Sequence, residues 1–193
     1  MTCHGLVRIV VHASANYAYR FGTYPSASQE MIMASHEQRR AVDIVSIAKR
    51  AITNHNVLNE AYEYARPSSF SRGMRIDLDG LVILLISGTA SIDEHGNTVH
   101  VGDIRAQCRR TFQNITALLE AEGATWKDVV RTSCYLRDID RDYAAFNEER
   151  TAFYKAQRLD PLPASTGIQA KLCRPELLVE IEAIAMFRQL PKE

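Results

Sequence analysis

The sequence predicts an α+β fold in which two helices cover one face of a single mixed sheet. Three observations lead there. From Phe70 onward the apolar positions alternate between strand and helix periods in the order β-β-α-β-α-β-β. Each of the two helical segments carries only one apolar stripe, so both must bury it against the same layer. The last strand alternates acids with apolar residues, which gives the sheet two faces of different character.

The elements follow in order. Residues 6–12 read as a strand, and Ala13 to Ser35 is polar, dotted with aromatics and without a clear period. From His36 to Tyr64, Ala41, Ile44, Val45, Ala48 and Ile52 recur at helical spacing, which predicts an amphipathic helix ending before Pro67. Residues 1–66 are therefore expected to form an N-terminal extension, and residues 67–193 the main domain. Phe70 to Asp77 and Leu81 to Ser87 are expected as a hairpin on Asp79-Gly80, a dipeptide whose members tolerate positive φ. A second turn falls at His95-Gly96-Asn97. Asp103 is an N-cap for a helix whose stripe is Ile104, Cys108, Phe112, Ile115 and Leu119, and Gly123 is its C-terminal stop. Thr125 to Asp128 has the form of a capping box, with Asp in place of Glu.

Val129 to Leu136 is the next strand, after which Asp140 is expected to cap a helix carrying Tyr143, Phe146 and Phe153. A loop at Pro163 then feeds a short strand through Ala170, and a turn at Arg174-Pro175-Glu176 feeds the last one. On that strand Glu180, Glu182 and Ile184 share one face, Val179, Ile181 and Ala183 the other, and the two carboxylates lie ~6–7 Å apart. A carboxylate held in a pocket has its pKa raised by burial and is fitted to move protons, which makes Glu180 the leading candidate.

Composition narrows the classes of function. The 23 basic residues balance the 23 acidic ones, so no electrostatic surface for nucleic acid or membrane is expected. Cys3, Cys108, Cys134 and Cys173 have no disulfide or metal-site spacing, which fits reduced thiols in a cytoplasmic protein. The longest apolar run, Leu81 to Ile86, is far shorter than the ~20 residues of a membrane span. The amino terminus lacks the basic start and cleavable small-residue site of a signal peptide. None of the six histidines has a partner at ligand spacing, so neither metal nor cofactor is expected.

A resemblance adds to this reading. The string Ile86-Ser-Gly-Thr-Ala-Ser-Ile92, Gly102-Asp-Ile with Gln107, Asn114, Leu118 to Ala124, Asp128-Val-Val-Arg-Thr132, Phe146-Asn147 and Val179 to Ala185 resembles the YjgF/RidA (Rid) family over roughly residues 67–187. The resemblance implies a chorismate-mutase-like fold, a barrel-like homotrimer and clefts between subunits that take small carboxylic acids. It also implies hydrolysis of 2-imino or enamino acids to keto acids and ammonia; older family names are translation inhibitor and endoribonuclease. Carried over by position, Ser87 matches the family's serine, Asn147 its asparagine and Glu180 the acid that positions the hydrolytic water.

The departures bear on substrate binding. Ser165 stands where the imine hydrolases have Arg, Gly167 where many have Cys, and Phe70 where the family has Tyr. A guanidinium clamps a carboxylate through paired charge-assisted hydrogen bonds that a hydroxyl cannot supply. Arg72, Arg75 or Arg174 is the expected substitute cation, and Thr166 a further donor beside Ser165. Phe70-Ser71-Arg72, Ser87 to Ile92 and Cys173 to Glu182 are also similar to the Rid-like half of the chorismatases, which release pyruvate from chorismate. A non-catalytic ligand-binding trimer is the rival class, and RNA cleavage a further one that lacks the basic, aromatic surface it needs.

Overall fold

The computed structural model describes residues 47–64 and 66–189. Its elements are β1 (Ile47–Ile52), β2 (Gly73–Leu78), β3 (Leu81–Ala90), α1 (Ile104–Ala121), β4 (Val129–Leu136), α2 (Ile139–Ala156), β5 (Ala164–Gln169) and β6 (Val179–Arg188), with short 3-10 turns at Ala61–Glu63 and Trp126–Asp128. The strands form one six-stranded sheet in the order β1-β2-β3-β6-β4-β5. All neighbours are antiparallel except β4 and β5, which run parallel. Both helices lie on one face: α1 packs on β3 and β6 and against α2, which reaches β4. The predicted single mixed sheet under two helices is therefore present.

Local chemistry explains most boundaries. Asp79 and Gly80 both have positive φ (44 and 82), as the tight turn between β2 and β3 requires. The Asp103 carboxylate accepts the Ala106 amide at 3.0 Å, which caps α1. Gly123 follows α1 in the left-handed region (φ 75). Thr125 and Asp128 make the reciprocal capping box around the short turn before β4. In β6, Val179, Ile181, Ala183 and Ala185 are buried under the helices, while Glu180, Glu182 and Ile184 stand on the open face.

The core between helices and sheet is aromatic at one end. Phe112 of α1 stacks on Phe153 of α2 with centroids 4.5 Å apart, and Trp126 meets Phe153 edge-on at 5.1 Å. The Trp126 indole is buried and donates to Thr116 Oγ1 at 2.8 Å, so its one polar atom is satisfied.

Two expectations change. The helix expected from His36 to Tyr64 is not found in its described part: Ile47–Ile52 is β1, an edge strand paired with β2, and only Ala61–Glu63 makes a helical turn. Helical spacing here coincided with a segment whose backbone satisfies itself against β2 and whose Ile52 is fully buried. The sheet thus draws a strand from the segment read as an extension. The strand over 6–12, the stretch from Ala13 to Ser35 and the start of the expected helix lie outside the described residues. The cap of α2 is Asp138, which accepts the Arg141 amide at 3.0 Å. Asp140 sits in the first turn, where its charge favours the positive end of the helix.

The place of β1 in the core can be checked. Ile52→Ala should cost about 2–5 kcal/mol, the range for a fully buried aliphatic side chain, read from the urea midpoint of the full chain. A change below about 0.5 kcal/mol, the range of exposed positions, would remove β1 from the folded core.

Candidate functional site

The open sheet face carries a local irregularity where the candidate acid lies. Ile86 pairs with Ala183 and Thr89 with Ile181, so Ser87 and Gly88 together oppose Glu182 in a β-bulge. The bulge brings the Gly88 backbone beneath the Glu180 side chain. A Cβ built on Gly88 would lie 2.0 Å from Glu180 Oε1, so a side chain there would displace the carboxyl from its present position. Ser87 donates its hydroxyl to the Ser71 carbonyl at 2.8 Å, tying the bulge to the chain just before β2. Phe70, one residue earlier, is exposed.

Glu180 makes no hydrogen bond or ion pair with any of the described residues. Burial raises its pKa above the ordinary 4.5, and the nearby Glu182 carboxylate adds to the shift. Glu182 is held differently: it accepts the Tyr135 hydroxyl at 2.9 Å, and that bond raises the Tyr135 pKa. Two acids on one strand face thus have separate environments. An open depression of ≈ 290 Å³ lies beside them, lined by Leu85, Ser87, Arg131, Ser133, Glu182 and Ile184. Glu182 lines it and Glu180 does not.

A second group forms on the other side of the sheet, where α2 overhangs β5. Ser165 Oγ accepts the hydroxyl of Thr132, a residue buried on the helix face, at 3.1 Å. It also accepts Arg150 Nη1 at 3.2 Å, and Arg150 Nη2 donates to Asn147 Oδ1 at 2.6 Å. Gly167 is on the same side, where an added Cβ would be 3.8 Å from the Tyr143 ring. Thr166 faces the opposite way and accepts Arg131 Nη2 at 3.0 Å.

The structure therefore sorts the candidates into two clusters. Phe70, Ser87 and Glu180 gather around the bulge; Asn147, Ser165 and Gly167 gather under α2. Arg72 and Arg174 join neither as free cations. Arg72 is buried and donates to the Asn59 carbonyl at 2.9 Å and to the Tyr64 hydroxyl. Arg174 donates to the Gly96 carbonyl at 2.6 Å. The two guanidinium carbons lie 5.1 and 4.9 Å from the Tyr64 ring centroid, so these cations organise the loops around Tyr64. Arg75 is buried in ion pairs with Asp77 and Glu122. Two further cations meet candidate residues, Arg131 at Thr166 and Arg150 at Ser165 and Asn147, and sequence reasoning missed both. Arg150 is the one in the cluster under α2. Its only signal was spacing: it lies one helical turn beyond Asn147.

Cys108 is buried and its thiol pKa is pushed up to about 12 by desolvation, the reverse of what a reactive thiol needs. Among the described residues no three His, Cys, Asp or Glu side chains converge as metal ligands, and no helix is long and apolar enough to cross a membrane.

Residues 65–187 match the family described as Endoribonuclease L-PSP. The chain is 35% identical over 103 residues to the 3-aminoacrylate deaminase RutC of Acinetobacter baylyi, an alignment spanning 53% of this chain and 78% of that protein. The crystal structure of the YjgF gene product of E. coli superposes with a TM-score of 0.58 at 26% identity, covering 72% of this chain and 99% of that one. The Rid-family protein YyfA of Yersinia pestis gives 0.58 at 27% identity, with 72% and 98% covered. The chain belongs to the YjgF/RidA family.

The environment of Glu180 sets an expectation for stability. A folded state that holds this proton more tightly than the unfolded chain loses stability as pH rises from the ordinary carboxyl range through the raised pKa. Glu180→Gln removes that loss. Its melting temperature should exceed that of the parent at neutral pH and converge with it below the ordinary glutamate range. Gly88→Ala should remove the difference, because its methyl would displace the carboxyl from this seat.

Proposed function

We propose that the protein hydrolyses small 2-imino or 2-enamino acids to 2-oxo acids and ammonia in clefts between identical subunits of a homotrimer. The observation that carries this reading is the carboxyl of Glu180, seated over Gly88 with raised proton affinity and no cation beside it among the described residues. Likeness to a 3-aminoacrylate deaminase and membership of the family support the substrate class.

The chemistry follows from one acid in two protonation states. Protonated Glu180 gives its proton to the enamine carbon, which yields the iminium. As the carboxylate it takes a proton from water while the oxygen bonds to the iminium carbon, gives that proton to the nitrogen, and takes the hydroxyl proton back as the C–N bond breaks, ammonia leaves and the C=O bond forms. Ser87 is the donor this reading assigns to the substrate's developing charge, its hydroxyl turning to the substrate from the Ser71 carbonyl to which it donates in the free chain. Phe70 is an apolar wall.

The subunit arrangement has its own support. The Glu180 cluster stands on the open sheet face and the Asn147 cluster on the helix face, so a single chain cannot present both to one small molecule. The open face also exposes apolar side chains, Leu85 at 40% and Met186 at 39%, that a neighbouring copy would cover. Free Cys108, Cys134 and Cys173 fit a cytoplasmic setting.

The test is to mix the purified chain with freshly generated 2-imino acids, including aminoacrylate, and to follow ammonia and 2-oxo acid release. Release should be faster than in buffer, and Glu180→Gln should lower kcat by about 10²- to 10³-fold, the scale of general acid–base catalysis. Rates equal to buffer would end the deaminase reading. Pyruvate release from chorismate in a parallel arm would favour the chorismatase-like alternative, and binding without turnover a regulatory trimer.

A further inference from the structure

We propose that Arg150 is the carboxylate anchor of this site, supplied by α2 in place of the guanidinium that β5 lacks at Ser165; the inference rests on the deaminase reading above. The two facing elements converge on one point. Arg150 Nη1 is 3.2 Å from Ser165 Oγ and Nη2 is 2.6 Å from Asn147 Oδ1, so the guanidinium occupies the space between β5 and the Asn147 turn of α2. A side chain from the helix thus fills the role left open by the small residue on the strand.

Its surroundings hold it there without neutralising it. The guanidinium carbon lies 5.0 Å from the centroid of Phe146, a ring that is fully buried and therefore a fixed platform. None of the ion pairs among the described residues includes Arg150. Its neighbours in the chain, Glu148 and Glu149, are engaged by Arg105 and Arg109 of α1 instead. Arg150 is half-buried, and the partners it does have, a hydroxyl and an amide oxygen, orient the fork but leave its charge unbalanced and its remaining N–H donors open. A small planar anion satisfies both needs through paired hydrogen bonds.

Arg72 and Arg174 spend their donors on backbone carbonyls and Arg75 is paired with acids. Arg131 stands on the open face beside Glu182, where it donates to Thr166 and does not meet Ser165 or Asn147. Gly167, two residues on in β5, carries no side chain, and a Cβ there would lie 3.8 Å from the Tyr143 ring.

The experiment is calorimetric titration of the full-length protein with 2-oxobutyrate and with its neutral amide, alongside imino-acid turnover. The proteins compared are wild type, Arg150→Gln, Arg150→Lys and the double variant Arg150→Gln/Ser165→Arg. Wild type should prefer the carboxylate to the amide. Arg150→Gln should weaken 2-oxobutyrate by about 10- to 100-fold and leave the amide unchanged, and Lys should fall between, since it keeps the charge and loses the fork. KM should rise with kcat within about threefold, the opposite of a change at Glu180. Relocating the guanidinium in the double variant should restore the carboxylate preference. Binding by Arg150→Gln within about twofold of wild type, equal loss of carboxylate and amide, or no recovery in the double variant would overturn the assignment of Arg150 while wild-type turnover still stood. Wild type that neither binds 2-oxobutyrate nor accelerates hydrolysis would remove the deaminase reading, and the anchor with it.

Discussion

The geometry of the candidate site depends on a side chain that is not there. Gly88 lies under the Glu180 carboxyl so closely that a methyl group would occupy the position of its oxygen. Because the β-bulge places two residues of β3 against one of β6, the strand turns its bare backbone toward the acid at this point alone. The result is a carboxyl partly withdrawn from water beside a second carboxylate, and both effects make its ionised form more costly. Glu182, two residues on, instead accepts the Tyr135 hydroxyl.

A sheet has two faces, and that constrains where a reaction can occur. α1 and α2 cover one face, and the Asn147, Arg150 and Ser165 group forms where α2 meets the edge strand β5. Glu180 stands on the other face, two strands in from that edge. The backbone layer between them is the reason the reading requires copies of the chain rather than one. Arg150 of α2 reaches Ser165 on β5, which is the ground for proposing it as the anchor.

Features written in short stretches of sequence were legible. The Asp103 cap, the Gly123 stop, the Asp79-Gly80 turn and the alternation of β6 each depend on a few neighbouring residues, and each is present. β1 was not legible, since Ala48 and Ile52 fit a helical stripe as well as a strand and the choice was made by pairing with β2, far along the chain. Charge was the least legible property. Arg72 and Arg174 looked available because nothing nearby in sequence announces that the Asn59 and Gly96 carbonyls will hold them. Nothing near Arg150 in sequence announces that Glu148 and Glu149 beside it turn to Arg105 and Arg109 of α1 and leave it without an acid partner.

The central claim is that one site is assembled from halves contributed by different copies of the chain. Subunit mixing tests it most directly: Glu180→Gln, impaired on the open face, is unfolded and refolded together with Gly167→Trp, which blocks the β5 half. Each variant alone should be inactive toward 2-imino acids. The mixture should recover roughly a quarter of wild-type activity, because random assembly pairs two intact halves in about that share of clefts. A mixture as inactive as either parent, from variants that still assemble, would contradict the account.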